Sequence, residues 1–256
     1  MPFFKAADKL VYYAHVPKCG GSAIAYYLED RFGMLGFYDN SFHKKLSQKT
    51  AWTATSPQHV DAGTLESMIP FGFFDAMFAV VRHPVPRTVS TYHFQREVEG
   101  RIPADLSFSD WLSTLERDGF DLFKYDNHVL PMTLLVPEGA TIFHLEHGLD
   151  PLVVWLDLMT GQKTGPRVIM PENARGALVA VKSEKVVPTV ADIACIGRIY
   201  ADDFTRFGYR PDQPAPMTPA PILTAAFMAE RNHAFKALQH PVNRLRQRLR
   251  RRLRRL

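Results

Sequence analysis

Short apolar runs alternate along this chain with longer stretches whose apolar residues recur at helical spacing. Leu10–Val16, Trp52–Thr55, Met77–Arg82 and Thr141–Leu145 read as strands. Ser22–Phe32, Pro86–Val98, Phe108–Glu116, Leu149–Met159 and Val190–Phe207 read as helices. Such alternation predicts an α/β fold, a parallel sheet flanked by helices on both sides, with ligands at the carboxyl ends of the strands. Past residue 210 the pattern changes. Pro211–Pro221 is a proline-rich linker, Ile222–Gln239 a further helix, and Leu245, Leu249, Leu253 and Leu256 a leucine stripe among arginines. The expected organisation is a domain over 1–210, the linker over 211–221, and a C-terminal helical extension over 222–256.

With 256 residues, 46% of them hydrophobic, the chain can bury one substantial core. Its formal net charge of +5 belongs to the tail: Asn243–Leu256 holds eight arginines and no acid, and without those eight the charge is −3. Leucines striped through arginines fit an amphipathic helix that seeks an anionic membrane surface; an anionic polymer partner and a frayed, solvated end are the competing readings. No aromatic platform or base-reading module accompanies the tail, so specific nucleic-acid binding is not expected. Two cysteines, Cys19 and Cys195, make no disulfide framework. MPFFKAADK lacks the features of a signal peptide, and no run is long enough to span a bilayer. The expected setting is cytoplasmic, peripheral on the inner face of a membrane through the tail.

The segment HVPKCGGSAI, His15 to Ile24, joins a strand to a helix through a basic, glycine-rich turn. Gly20 and Gly21 let the backbone turn tightly and approach a ligand. The unpaired N–H groups of the helix start then face an anion, with Lys18 as a mobile cation and Ser22 as a hydroxyl at or near the N-cap. The turn is P-loop-like without being a Walker motif, because Lys18 precedes the glycines. A second segment, Phe74–Gln95, repeats the logic. Its strand ends in Arg82, passes Pro84 and Pro86, and enters a helix that carries Arg87 and Ser90. Arg82 and Ser90 can close on a single phosphate, while Arg87 either serves the same anion or covers the helix surface.

Together the two segments resemble the sulfotransferases that use 3′-phosphoadenosine 5′-phosphosulfate (PAPS), in particular the polysaccharide 2-O-sulfotransferases and their bacterial relatives. The first is similar to that family's 5′-phosphosulfate loop, with Cys19 where Thr is common. The second is similar to its 3′-phosphate motif at Arg82, Pro84, Arg87 and Ser90. DNHVLPM, Asp126–Met132, and the helix Ile199–Tyr209 are weaker likenesses, and Met132 stands where Gln is usual. The resemblance implies a P-loop-like sheet and in-line transfer of a sulfuryl group from PAPS to a hydroxyl, on a sugar or glycan. Lys18, Cys19, Gly20, Gly21, Ser22 and Ala23 would hold the 5′ group, and Arg82 and Ser90 the 3′-phosphate. Lys18 is also the group that would balance charge on the leaving oxygens. No divalent metal is expected, since no carboxylate pair or HxxxH spacing offers a site.

A hydroxyl acceptor needs a general base that titrates near neutrality, which makes histidine the first choice. His59 is the candidate. It lies between the Trp52–Thr55 stretch and a helix whose better N-cap is Asp61, and in the resembling family a His in this place is the base. His15 reads as packed and His83 as shaping its turn. His128 lines the acceptor site or is structural; His43, beside Lys44 and Lys45, docks an anionic acceptor or is solvated surface. Cys19 does not read as a catalytic thiol. The alternatives to a sulfotransferase are a P-loop-like nucleotide kinase or hydrolase, and a non-catalytic nucleotide- or glycan-binding protein of the same fold.

Overall fold

The computed structural model describes residues 1–39, 41, 42, 45, 49–51, 53–121, 123–171, 183–240 and 243. One open sheet holds β1 (Phe3–Ala6), β2 (Lys9–Ala14), β3 (Ala76–Val81) and β4 (Thr141–His144), in that spatial order. β2, β3 and β4 run parallel, with Tyr13 opposite Phe78 and Ala79 opposite Ile142. β1 is an antiparallel edge strand that pairs Phe3 with Tyr12 and Ala6 with Lys9. Its four residues are too few for a period to show in the sequence.

The helices are α1 (Gly21–Phe32), α2 (Ala62–Met68), α3 (Pro84–Glu97), α4 (Phe108–Asp118), α5 (Met132–Leu135), α6 (Asp150–Thr160), α7 (Val190–Ile199), α8 (Ala201–Arg206) and α9 (Ala225–Gln239). Side chains alternate across the sheet and so feed two cores. Tyr12, Ala14, Ala79 and Val81 face α3, α4, α7 and α8, whose contributions include Tyr92, Trp111, Ile196 and Phe204. Val11, Tyr13, Phe78 and Val80 face α1 and α6, through Ile24, Leu28, Leu152 and Leu156. α4 shows how pattern becomes packing. Phe108, Trp111, Leu112 and Leu115 fall on one helical face and are buried, and Ser107 Oγ caps the start by accepting the Asp110 N–H at 3.1 Å.

Three expectations change. Thr53–Thr55 form bends instead of a strand, because Thr55 and Ser56 direct hydrogen bonds to the Asp126 carboxylate and not to a neighbouring strand. The single helix expected over Val190–Phe207 breaks at Tyr200 (φ −115°, ψ 33°), whose hydroxyl donates to the Val129 carbonyl at 2.8 Å. That break turns Asp203 so that its carboxylate accepts the Met132 and Thr133 N–H groups at the start of α5. The helix of the extension begins at Ala225, where Thr224 caps it, and Ile222 is left exposed. α9 packs against the second core through Phe227, with ion pairs Arg167–Glu230 and Arg231–Asp150, both at 3.2 Å.

His43, Lys44, Trp52 and the arginine-rich tail after Asn243 lie outside the described residues. Lys45 is described and pairs with Asp39 at 2.7 Å. Among the described residues no helix is long and apolar enough to cross a membrane.

Candidate active site

The turn after β2 is built from left-handed residues. Lys18 has φ 67° and Gly20 φ 84°, and Gly20 is the N-cap of α1, with no side chain capping it. Ser22, expected at or near the cap, therefore sits in the first turn of the helix, two residues past Gly20. The first α1 bond runs from the Ile24 N–H to the Gly20 carbonyl, so the N–H groups of Gly21, Ser22 and Ala23 have no carbonyl of their own helix to meet. Gly21 is required for a different reason from Gly20. A Cβ on it would lie 2.0 Å from His15 Nε2, so the absent side chain is the space in which the His15 ring packs. Cys19 points into the core and its thiol is pushed up to about 12 by burial, so only its backbone can meet a ligand.

α3 supplies the second half of the site. His83 caps it: Nδ1 accepts the Val85 N–H at 3.1 Å while Nε2 donates to the Arg210 carbonyl at 3.0 Å, which fixes the tautomer. Arg82 donates to the Lys18 carbonyl at 3.3 Å and so ties the two loops together. Arg87 serves neither role foreseen for it. It is fully buried and donates through Nε to the Pro17 carbonyl at 3.3 Å, and through Nη2 to the carbonyls of His128 and Leu130 at 3.2 and 2.8 Å. It is a buttress that ties the turn after β2 to the segment 128–130.

Lys18, Arg82 and Ser90 meet around one cavity of about 580 Å³, whose walls also include Val89, Phe94 and Lys185. Lys18 Nζ stands 3.7 Å from the centroid of the Phe94 ring, a cation–π contact. Burial, and then the positive charge of Arg82, draw its ammonium down to about 8. Lys185 closes the far side on a segment that Ser183 and Val186 anchor to Glu97 and His93 of α3.

Phe94 links this cavity to a second cluster. Its ring lies 5.2 Å from that of His128, which lies 4.8 Å from His59, which in turn lies 5.0 Å from His15. All three histidines are buried. His59 Nδ1 is 2.8 Å from Asp126 Oδ2 and 2.8 Å from Ser56 Oγ; among the described residues its Nε2 has no hydrogen-bond partner. The Ser56 hydroxyl donates to Asp126 Oδ2 at 2.7 Å, and the Ser56 N–H to Oδ1 at 2.6 Å. Burial alone would raise the Asp126 carboxyl. The charge and hydrogen bond of His59, with help from His128 and Thr55, outweigh it and hold the group well below the usual carboxylate range. Burial first, and His59 second, hold both His15 and His128 well below the usual imidazole range. Gln95 Nε2 donates to His128 Nδ1 at 2.6 Å.

Asp126 reaches His59 through unusual backbone. Tyr125, Asp126 and Asn127 have φ of 55°, 53° and 59°, and each left-handed residue with a side chain costs about 1–2 kcal/mol. Donor atoms of His59, Asp126 and His128 come within 4.8 Å of one another, close enough for a metal to bridge. The observed pairing is a hydrogen-bonded dyad: the carboxylate already accepts from Thr55, Ser56 and His59.

The structure thus brings Lys18, Arg82 and Ser90 to one cavity, and His59 and His128 to the adjoining cluster; Cys19, Gly20, Gly21, Ser22 and Ala23 follow Lys18 in the chain but do not line that cavity. Asp126 was legible only as the first letter of a family-like segment, although Asp and Asn are the residue types that best tolerate left-handed backbone. Nothing in the sequence signalled Lys185.

The two basic loops thus follow the carboxyl ends of neighbouring parallel strands, β2 and β3, where open α/β sheets hold their ligands. The profile of a family described as the Sulfotransferase family matches residues 1–150, more than half of the chain, and the chain belongs to that family. Its members transfer sulfuryl groups. No curated protein and no solved structure matches the chain significantly.

Proposed function

We propose that this protein is a PAPS-dependent O-sulfotransferase that acts on a hydroxyl of a sugar or glycan, with His59 as general base. The observation that carries the reading is the single cavity shared by Lys18 of the first loop and Arg82 and Ser90 of the second, joined through Phe94 to the histidine cluster. The N–H groups of Gly21, Ser22 and Ala23, with the Lys18 ammonium, suit the 5′-phosphosulfate; Arg82 and Ser90 suit the 3′-phosphate. PAPS bound there supplies an activated sulfuryl group. His59 Nε2 takes the proton of the acceptor hydroxyl as its oxygen bonds to sulfur. The bond from sulfur to the bridging oxygen breaks, and its electron pair stays on the departing adenosine 3′,5′-bisphosphate, where Lys18 balances the charge. The choice of a sugar rests on the likeness of the two loops to those of the polysaccharide enzymes.

Calorimetric titration with adenosine 3′,5′-bisphosphate, beside ATP with magnesium, tests the donor assignment. Arg82→Ala removes a bidentate, charge-assisted contact worth about 2 kcal/mol, so bisphosphate affinity should fall about 30-fold. ATP bound as tightly as the bisphosphate, or affinity indifferent to Arg82, would return the site to a kinase-like reading.

A further inference from the structure

The left-handed turn Tyr125–Asn127 contains no glycine, so its backbone is held against intrinsic preference. Two of its three side chains, those of Asp126 and Asn127, meet His59. Asp126 faces His59 Nδ1, and Asn127 Nδ2 donates to the His59 carbonyl at 2.8 Å. A loop that is merely tied down does not need a carboxylate aimed at a ring nitrogen from a strained turn.

The network also assigns the proton. Ser56 Oγ has its hydrogen on Asp126 Oδ2, so both groups that face His59 Nδ1, the carboxylate and the Ser56 oxygen, are acceptors. Nδ1 must therefore be the donor, which leaves the lone pair on Nε2. From this geometry we infer that Asp126 is a positioning residue: it fixes His59 in the Nδ1–H tautomer, aims Nε2 at the acceptor hydroxyl, and becomes the counter-ion once Nε2 has taken the proton. The inference rests on His59 being the base. His15 and His128, packed on either side of His59, are held neutral by burial, so Asp126 faces one imidazolium and not three. Asn127 adds the backbone half of the grip.

Asp126→Asn keeps the shape and an acceptor oxygen for Thr55 and Ser56, but presents an amide N–H₂ to His59 Nδ1. The ring must then protonate at Nε2 and lose its basic lone pair. Nitrogen-15 histidine NMR of the full chain reads this directly, with the His59 signal assigned by its loss in His59→Ala. The expected result is Nδ1–H in wild type and Nε2–H in Asp126→Asn. Turnover, followed as bisphosphate released from PAPS with chemically desulfated heparin present, should fall about 10²–10⁴-fold in the variant, with bisphosphate affinity unchanged.

A wild-type Nε2–H tautomer would overturn the inference even if the variant failed to fold. So would a variant with inverted tautomer and full turnover, in a protein that His59→Ala inactivates. Full turnover in His59→Ala would instead remove the base reading itself, whatever the tautomer.

Discussion

Arg87→Lys separates a buttress from an anion ligand. If Arg87 held a phosphate, a lysine would keep the charge and much of the affinity, and the fold would hardly notice. In the structure the guanidinium bridges three buried carbonyls on two segments: Pro17 through Nε, His128 and Leu130 through Nη2. One ammonium cannot span both sides. Losing the Pro17 contact and one of the other two removes two hydrogen bonds from a charged donor, each worth about 1.5–3 kcal/mol. The contacts at 3.2 and 3.3 Å belong at the low end, which gives about 3 kcal/mol. For a chain of this size that corresponds to a Tm lower by about 6–12 °C. Thermal unfolding measures the loss, and titration with adenosine 3′,5′-bisphosphate at 15 °C, where the variant stays folded, should show a smaller affinity change than Arg82→Lys produces. A Tm within about 2 °C of wild type, paired with an affinity loss matching that of Arg82→Lys, would refute the buttress and make Arg87 a ligand of the anion.

Two further predictions concern the first loop. The Lys18 ammonium, drawn down to about 8, is charged below that pH and neutral above it, so bisphosphate affinity should hold through pH 7 and weaken by up to about tenfold per unit above 8. Lys18→Arg should flatten this profile, and a wild-type profile that is already flat to pH 9.5 would mean that Lys18 does not meet the anion. Gly21→Ala should lower stability by about 1–3 kcal/mol in urea unfolding, because the new methyl lands on the His15 ring. His15→Ala in the same chain should restore most of it; losses that simply add would place the strain elsewhere.

The sequence by itself determined the parts whose cause is local. Apolar runs of strand length and faces of helical period follow from chain geometry, so β2, β3, β4, α1, α4 and α6 were legible within a few residues. The tight turn between β2 and α1 was legible in its glycines for the same reason: the constraint acts along the backbone of a single turn. What the tertiary structure decided depends on contacts between segments far apart in the chain. Arg87 is a buttress because carbonyls from two distant loops converge on it, and its own segment holds no sign of that. Tyr200 breaks a helix that its sequence would continue, because its hydroxyl finds Val129, 71 positions earlier. Thr53–Thr55 leave the strand expected of them, and His59 acquires its orientation, through one carboxylate some 70 residues downstream. Pattern reports what a residue prefers among its neighbours in the chain; partners brought together only by folding decide where a buried polar group makes its hydrogen bonds, and with them the chemistry of the site.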